Sequence, residues 1–308
     1  MQKISIDNLG PIDGHFEMDL DKKLTILIGE QATGKSTIAR FIAEQNEDCL
    51  YIPAGRAIIP LIFKSYAAAT RLKIDPFMDK FILFVDNVRE TFFDDYYRAM
   101  QNQYKSDSRI NKNNFAEAVS LLRHIVKGEC AYSNEADKDK IHVNKEIIIS
   151  LFEASSGQQE IFYILFALLY VLSHPDPRTI IIEEPEAHLY PVSQKLVMEL
   201  VARVINATGS RVIITTHSPY ILTATNLLIH SAKVENKIQG EEAVVDPMAR
   251  LNPDDVAAYL LERNGQFSSR SIIDEESGLI KAEEIDTVSD IIDEKMDDLV
   301  RLEVKHGL

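Results

Sequence analysis

The residues with the clearest chemical potential form the pattern GEQATGKS at positions 29–36. Glycine, four residues, glycine, lysine and serine match the spacing of a loop that wraps around nucleotide phosphates. In such a loop backbone N–H groups point inward, the lysine bridges the β- and γ-phosphates, and the serine hydroxyl binds Mg²⁺. We predict contacts with a nucleotide from Gly29, Glu30, Gln31, Ala32, Thr33, Gly34, Lys35, Ser36 and Thr37, with Lys35 also catalytic and Ser36 also a metal ligand.

Two predicted elements flank this loop. Residues 24–28 (LTILI) are apolar and partly β-branched, which is typical of a buried strand. Residues 37–43 carry apolar side chains at helical spacing, and the N-terminus of a helix favours a bound phosphate. The order strand, loop and helix favours nucleotide binding over the alternative of an ordinary glycine-rich turn.

Further short motifs follow along the chain, each at the predicted end of a strand or start of a helix. They are PAGR at 53–56, SSGQ at 155–158, EE at 183–184, PEAHL at 185–189 and TTHSP at 215–219. Buried-strand patterns at 179–182 and 211–216 alternate with helical patterns. This alternation predicts a largely parallel sheet with both faces covered.

The order of these motifs resembles that of the ABC-type ATPases, in particular the branch of SMC, RecF and OLD proteins. The resemblance implies that Glu183 supports Mg²⁺, usually through water, and that Glu184 orients or deprotonates the attacking water. One carboxylate balances the metal charge and the other accepts a proton. It also implies that His217 is catalytic, with Glu184, and contacts the γ-phosphate as a switch, where a lone histidine would more often be a packing or capping residue.

The segment 155–158 resembles the ABC signature, which binds the γ-phosphate held by a second subunit. The resemblance therefore assigns Ser155, Ser156, Gly157 and Gln158 to a nucleotide shared between subunits, and implies a homodimer or higher homo-oligomer formed through ATP. The ordinary alternative for this segment is a helix cap. Residues 186–189 occupy the place of the D-loop, which contacts the other subunit in the family.

A finer resemblance links the chain to OLD-related ATPases and to the ATPase subunits of phage-defence systems such as PARIS and Septu. It rests on IPAGR, SSGQQE, EEPEAHLYP and TTHSPYIL. It implies that Arg56 contacts phosphate or the dimer interface, where a surface arginine is the alternative. About 80 residues follow Asn226, too few for the Toprim nuclease domain of an OLD protein. A separate effector protein, with a nuclease as one candidate, is therefore expected.

The motifs predict an α/β fold, a P-loop NTPase of ABC-ATPase type. We expect a mixed sheet with a mainly parallel core, antiparallel N-terminal strands and an inserted helical lobe. The predicted parts are a nucleotide-binding core at 1–56 and 146–235, the helical lobe at 57–145 and an acidic, mainly helical extension at 236–308. Within the extension, residues 252–254 predict the cap of a helix through residue 262. An amphipathic stripe at 285–302 has an acidic face, which indicates a solvated helix or a docking surface.

The composition limits the classes of partner. A net charge of −15 and a pI of about 5.0 argue against a generally cationic nucleic-acid surface. A local basic region at 98–127 still leaves nucleic-acid binding open, through Arg98, Lys105, Arg109, Lys112, Arg123 and Lys127. The N-terminus lacks the apolar core of a signal peptide, and the longest apolar run, 161–172, is too short to cross a bilayer. We therefore expect a cytoplasmic location and no membrane partner.

The leading hypothesis is an Mg-ATP-dependent ATPase that dimerises around ATP. It would serve as the sensor or regulatory subunit of an anti-phage defence or DNA-surveillance system and control a separate effector. Two alternatives remain open, a RecF-like ATPase of DNA repair and an ATP-gated scaffold with negligible turnover. A transporter ATPase is disfavoured because the branch-specific motifs differ.

Overall fold

The computed structural model describes residues 3–46, 48–64, 73–91, 109–132, 139–238, 243–284 and 294–301. The strands in these residues are β1 (Lys3–Leu9), β2 (Ile12–Asp19), β3 (Leu24–Gly29), β4 (Leu50–Ile52), β5 (Glu129–Tyr132), β6 (Asp139–His142), β7 (Ile148–Ser150), β8 (Thr179–Glu183), β9 (Arg211–Thr216), β10 (Val256–Asn264) and β11 (Gln266–Ser271). The named helices are α1 (Lys35–Glu44), α2 (Ile59–Lys64), α3 (Pro76–Thr91), α4 (Lys112–Val126), α5 (Ser156–Ser173), α6 (Pro191–Thr208) and α7 (Pro219–Glu235). Residues 294–301 are also helical.

A six-stranded sheet in the order β11–β10–β3–β9–β8–β4 forms the centre of the molecule. All neighbours pair in parallel except β10 and β11, while β1 and β2 form a separate antiparallel pair. Every residue of β3 and β8 is buried, as expected for parallel strands covered on both faces. The predicted fold class, mixed and mainly parallel with antiparallel N-terminal strands, is confirmed.

Side chains that alternate along β3 enter two hydrophobic cores. Leu24, Ile26 and Ile28 pack with α5, α6 and α7 on one face of the sheet. Leu27 points to the other face and packs with α1 and with residues of β1 and β2. The loop between β3 and α1 is consequently held from both faces of the sheet.

The prediction for the C-terminal region is wrong in part. Residues 253–255 form a short 3-10 turn instead of a helix cap, and β10 follows, paired in parallel with β3. The sequence VAAYLLERN has no clear helical or alternating period, and the open edge of β3 decides its conformation. Residues 256–271 thus belong to the central sheet. The described helix at 294–301 is exposed throughout, and the rest of the predicted stripe, at 285–293 and 302, lies outside the described residues.

The insertion contains α2, α3 and α4, as predicted, but it also contains strands. β5, β6 and β7 form a three-stranded antiparallel sheet. β7 pairs with β6 and does not join the central sheet. A buried polar cluster fixes the insertion to α5: the Tyr163 hydroxyl donates to Asp139 Oδ2 at 2.9 Å, and Arg89 Nη2 lies 3.2 Å from the same oxygen.

The division into core, lobe and extension stays a prediction, except that residues 256–271, predicted to lie in the extension, form strands of the central sheet. Among the described residues, no helix combines the length and apolar character needed to cross a membrane.

Candidate functional site

The loop at 29–36 joins β3 to α1 and closes around the Lys35 side chain. Lys35 Nζ donates to the carbonyl oxygens of Gly29 and Glu30, both at 2.7 Å. Burial lowers the pKa of Lys35 to about 8, and the charges of Glu184 and Glu186 oppose this shift. A bound phosphate would stabilise the ammonium form of Lys35, whose charge the burial disfavours and the loop carbonyl groups only partly compensate.

Two glycines give the loop its shape. A Cβ at Gly29 would lie 2.1 Å from the carbonyl oxygen of Leu261 on β10, so only glycine fits between the strands. Gly34 adopts φ +95° directly before α1, and the helix has no side-chain cap. The N–H groups of the first turn are therefore available to a phosphate. Within the predicted set, Gly29, Thr33, Gly34 and Lys35 are buried, Thr37 is half-buried, and Glu30, Gln31, Ala32 and Ser36 are exposed.

The acidic pair lies at the carboxyl end of β8, and its two residues have different environments. Glu183 is buried at 3% exposure; its Oε2 accepts from the Ala54 N–H at 3.1 Å. Its Oε1 is buried and has no hydrogen-bond partner within the described part of the chain. Glu184 is partly exposed and has φ +44°, a left-handed conformation that costs about 1–3 kcal/mol outside glycine. Strain of this kind persists only where the surroundings hold it.

His217, at the end of β9, lies between the lysine and the second carboxylate. Its Nδ1 is 3.4 Å from Lys35 Nζ, and its Nε2 is 3.2 Å from Glu184 Oε1. The structure therefore brings together the three residues predicted to be catalytic. They converge because β3, β8 and β9 are parallel neighbours whose carboxyl ends share one edge of the sheet.

Glu186 is a functional candidate whose role the sequence analysis missed. Its Oε1 accepts from the Thr216 hydroxyl at 2.6 Å and from the His217 N–H at 2.7 Å. The side chain thereby fixes the backbone that carries His217. Its position two residues after Glu184 was assigned to the D-loop, and no local pattern indicated a contact with β9.

The predicted role of Arg56 in phosphate contact requires correction. Its side chain is fully buried and donates to the carbonyl oxygens of Pro53, Glu183 and Glu184. An ion pair with Glu160 completes its surroundings, with Nη2 3.3 Å from Oε2. A guanidinium enclosed by protein oxygens has no face left for a nucleotide or a second subunit.

The SSGQ segment caps α5. The Ser155 side chain accepts from the Gln158 N–H at 3.4 Å, and the Ser155 N–H donates to Gln158 Oε1 at 3.1 Å, which is a capping box. Both serines are exposed. A Cβ at Gly157 would lie 2.6 Å from the His188 carbonyl oxygen, so the signature-like segment packs on the D-loop-like segment. Binding of a partner's nucleotide by these residues stays a prediction.

The side chains around the loop fit Mg²⁺ held jointly with phosphate. The described residues contain no cluster of three His, Cys, Asp or Glu that could hold a metal ion by itself. Mg²⁺ usually takes one or two protein oxygens and completes its octahedron with phosphates and water. The exposed hydroxyl of Ser36 and the unpartnered, buried Oε1 of Glu183 provide such a donor set.

The basic region is partly neutralised. Arg109 Nη1 lies 2.9 Å from Asp176 Oδ1, and Arg123 Nη2 lies 3.1 Å from Glu129 Oε1. Arg98 and Lys105 lie outside the described residues. Nucleic-acid binding by this region stays a prediction.

A family model described as "AAA domain, putative AbiEii toxin, Type IV TA system" matches residues 58–223, more than half of the 308 residues. The match includes the signature-like segment, the acidic pair and His217, and the phosphate loop precedes it. No curated protein matches the chain.

Three solved structures illustrate the likeness of fold. An SMC head bound to the C-winged helix domain of ScpA is 12% identical, with a TM-score of 0.50 over 87% of this chain and 96% of that chain. The SMC head domain from Thermotoga maritima is 10% identical, with a TM-score of 0.44 over 88% and 98%. A dimeric bacterial ABC transporter cassette is 12% identical, with a TM-score of 0.36 over 70% and 83%. The first of these structures shows the fold that this chain shares with SMC heads.

Proposed function

The chain belongs to the AAA domain family whose model it matches, and from this premise we propose that it is an ATPase that hydrolyses Mg-ATP to ADP and phosphate. The contact series from Lys35 through His217 to Glu184 carries the proposal. In this series a lysine that can bind phosphate, an imidazole and a carboxylate that can act as a base lie side by side, next to a loop whose backbone can bind phosphates.

Each residue has a definite task in this reaction. Lys35 and the N–H groups at the start of α1 bind the phosphates. Glu184 accepts a proton from the attacking water, since its partly exposed carboxylate can reach solvent. His217, held at its backbone by Glu186, orients the carboxylate and contacts the γ-phosphate. Mg²⁺ bound near Ser36 and Glu183 would supply charge neutralisation for the phosphates.

We further propose that two copies enclose two nucleotides head to tail. The support is the position of Ser155 and Ser156, which are exposed at the N-terminus of α5. Their segment makes no hydrogen bond to the phosphate loop within the described residues, and its Gly157 packs on His188. A second copy therefore has access to both the serines and the helix N-terminus, which favours an anion.

The test uses Glu184→Gln, which keeps the size of the side chain and removes the base. We expect turnover to fall at least a hundredfold and native mass spectrometry to show a dimer that requires Mg-ATP. Glu129→Gln, on the surface of the lobe, is the matched control and should hydrolyse ATP at the parental rate. Unchanged turnover in Glu184→Gln would refute the role of Glu184, and a monomer at saturating Mg-ATP would refute the closed dimer.

The proposed biological role is that of a sensor or regulatory subunit, in an anti-phage defence or DNA-surveillance system, that controls a separate effector. The resemblance of four motifs to OLD-related ATPases supports it. The test is a plaque assay in cells that carry the gene for the parent protein, with its native flanking genes, or the Glu184→Gln variant at equal protein levels. Equal plaque counts with the parent, the variant and an empty vector would refute a defence role.

Turnover separates the ATPase from the alternative of a scaffold with negligible hydrolysis. We expect ATP hydrolysis to rise when the effector or DNA is added to the parent protein. A rate that stays below one turnover per hour in every condition would favour the scaffold.

A further inference from the structure

Arg56 and Glu160 form a buried charge pair that the proposed reaction does not itself use. Arg56 is 0% exposed and Glu160 is 4% exposed. The Glu160 carboxylate accepts from the backbone N–H groups of Arg56 at 3.0 Å and Ala57 at 3.2 Å. Buried charges are tolerated only when they are paired and fully hydrogen-bonded, and this pair meets both conditions.

The pair connects two motifs that lie far apart in the chain. Glu160 is in the second turn of α5, whose N-terminus carries the signature-like segment. The Arg56 side chain, which pairs with Glu160, also donates to the carbonyl oxygens of Glu183 at 2.8 Å and Glu184 at 3.0 Å. Its planar guanidinium, with donors at fixed angles, suits two adjacent carbonyl groups in a way that a lysine does not.

Glu184 is the residue that needs such support, because its backbone is strained at φ +44°. Its N–H donates to the Thr215 carbonyl oxygen at 2.9 Å, which fixes one side. On the other side the Glu184 carbonyl oxygen accepts from Arg56 Nη2 at 3.0 Å and from the Ala187 N–H at 3.1 Å, and Arg56 is the side chain of this pair of donors. The direction of the Glu184 side chain follows from this backbone conformation.

We propose that Arg56 is a positioning residue that holds Glu184 in its strained, reactive conformation. Glu160 on α5 balances the charge of Arg56 and thereby links α5 to Glu184. The inference rests on the proposed ATPase function and deepens it. Within the described residues the hydrogen bonds and the ion pair of the Arg56 side chain go to Pro53, Glu160, Glu183 and Glu184 and not to the phosphate loop, so its loss should lower kcat and leave the affinity for nucleotide unchanged. Loss of a purely structural ion pair would instead lower the stability of the protein, without lowering kcat selectively while the affinity for nucleotide stays unchanged.

The first variant is Arg56→Lys, which retains the ion pair and loses the two-carbonyl fork. We expect kcat to fall at least tenfold, with KM and the Kd for a non-hydrolysable ATP analogue within twofold of the parent. The matched control is Arg203→Lys. Arg203 is also buried, at 5% exposure, and contacts Asn114 and Asp246 away from the site. Its variant should retain the parental kcat.

Hydrogen exchange gives a readout that is independent of turnover. In Arg56→Lys without nucleotide, the backbone amides of Glu184, Glu186 and Ala187 should exchange at least tenfold faster, and those of the phosphate loop should not change; Pro185 has no amide hydrogen. If Arg56→Lys does not fold, Arg56→Met combined with Glu160→Gln removes both charges and retains an acceptor at Glu160.

The results distinguish the two proposals. A folded Arg56→Lys or double variant with parental kcat and parental exchange at 184–187 would overturn the positioning role. A parent protein that binds ATP without hydrolysing it would refute the proposed function. Exchange at 184–187 would then decide the positioning role by itself.

Discussion

Raising the pH from 7 to 9 should weaken the binding of Mg-ATP, because Lys35 loses its proton in this range. Burial lowers the pKa of Lys35 to about 8 in the free protein. The ammonium form is the one that a phosphate stabilises, so only the protonated protein binds with full affinity. The second ionisation of a phosphate monoester lies near pH 6, and the charge of the nucleotide is largely settled above pH 7.

The magnitude follows from the protonated fraction. With a pKa of about 8, about nine tenths of Lys35 is charged at pH 7 and about one tenth at pH 9, so Kd should rise about tenfold, or about 1.4 kcal/mol. Glu184 and Glu186 raise this pKa against the effect of burial. In Glu184→Gln the pKa of Lys35 should be lower, and the loss of affinity should begin at a lower pH.

The assay is isothermal titration calorimetry with a non-hydrolysable ATP analogue and Mg²⁺, in two buffers with different ionisation enthalpies. Above pH 8 the difference between the buffers should show the uptake of about one proton per nucleotide bound. Lys35→Arg serves as the control, since a guanidinium stays charged across the range and should remove the pH dependence. A parental Kd that is constant from pH 7 to 9, or an identical profile in Glu184→Gln, would refute the assignment.

Three further substitutions test the packing around the site. Gly29→Ala would place a Cβ 2.1 Å from a carbonyl oxygen of β10, so urea unfolding should show a loss of about 1–3 kcal/mol and calorimetry no ATP binding. Gly157→Ala would place a Cβ 2.6 Å from the His188 carbonyl oxygen; native mass spectrometry should show loss of the ATP-dependent dimer while the monomer still binds ATP. Asp139→Ala removes a buried carboxylate beside the Arg89 guanidinium, and urea unfolding should show a loss of about 3–5 kcal/mol. Parental behaviour in any of the three would contradict the packing described for that position.

The phosphate loop and its flanking elements were predictable because their signals are local. β3 is buried on both faces and its sequence is therefore almost entirely apolar, and the motif places a glycine at position 34, where φ is +95°. The contact that requires Gly29 is not local, because it involves Leu261 on β10. The acidic pair and His217 follow strand patterns of the same kind. Because the strands are parallel, the residues at their carboxyl ends lie at the same edge of the sheet, and no knowledge of side-chain contacts is needed to predict this.

The residues that sequence reasoning misplaced depend on distant partners. β10 becomes a strand because β3 offers an unpaired edge more than 220 residues earlier in the chain. Arg56 turns inward because Glu160, 104 residues later, supplies the balancing charge. An arginine beside a phosphate and an arginine in a buried pair have the same local sequence, so only the tertiary structure separates the two roles.

α5 connects the parts of the protein on which regulation would act. Its N-terminus presents Ser155, and Glu160 reaches Glu184 through a single buried arginine. Three residues later, on the same face of the helix, Tyr163 binds Asp139 of the insertion. Close-packed interiors do not absorb a displacement locally. We therefore expect a ligand of the insertion that shifts α5 to shift the proposed catalytic carboxylate as well. A ligand that leaves α5 in place has no such route and should leave turnover unchanged.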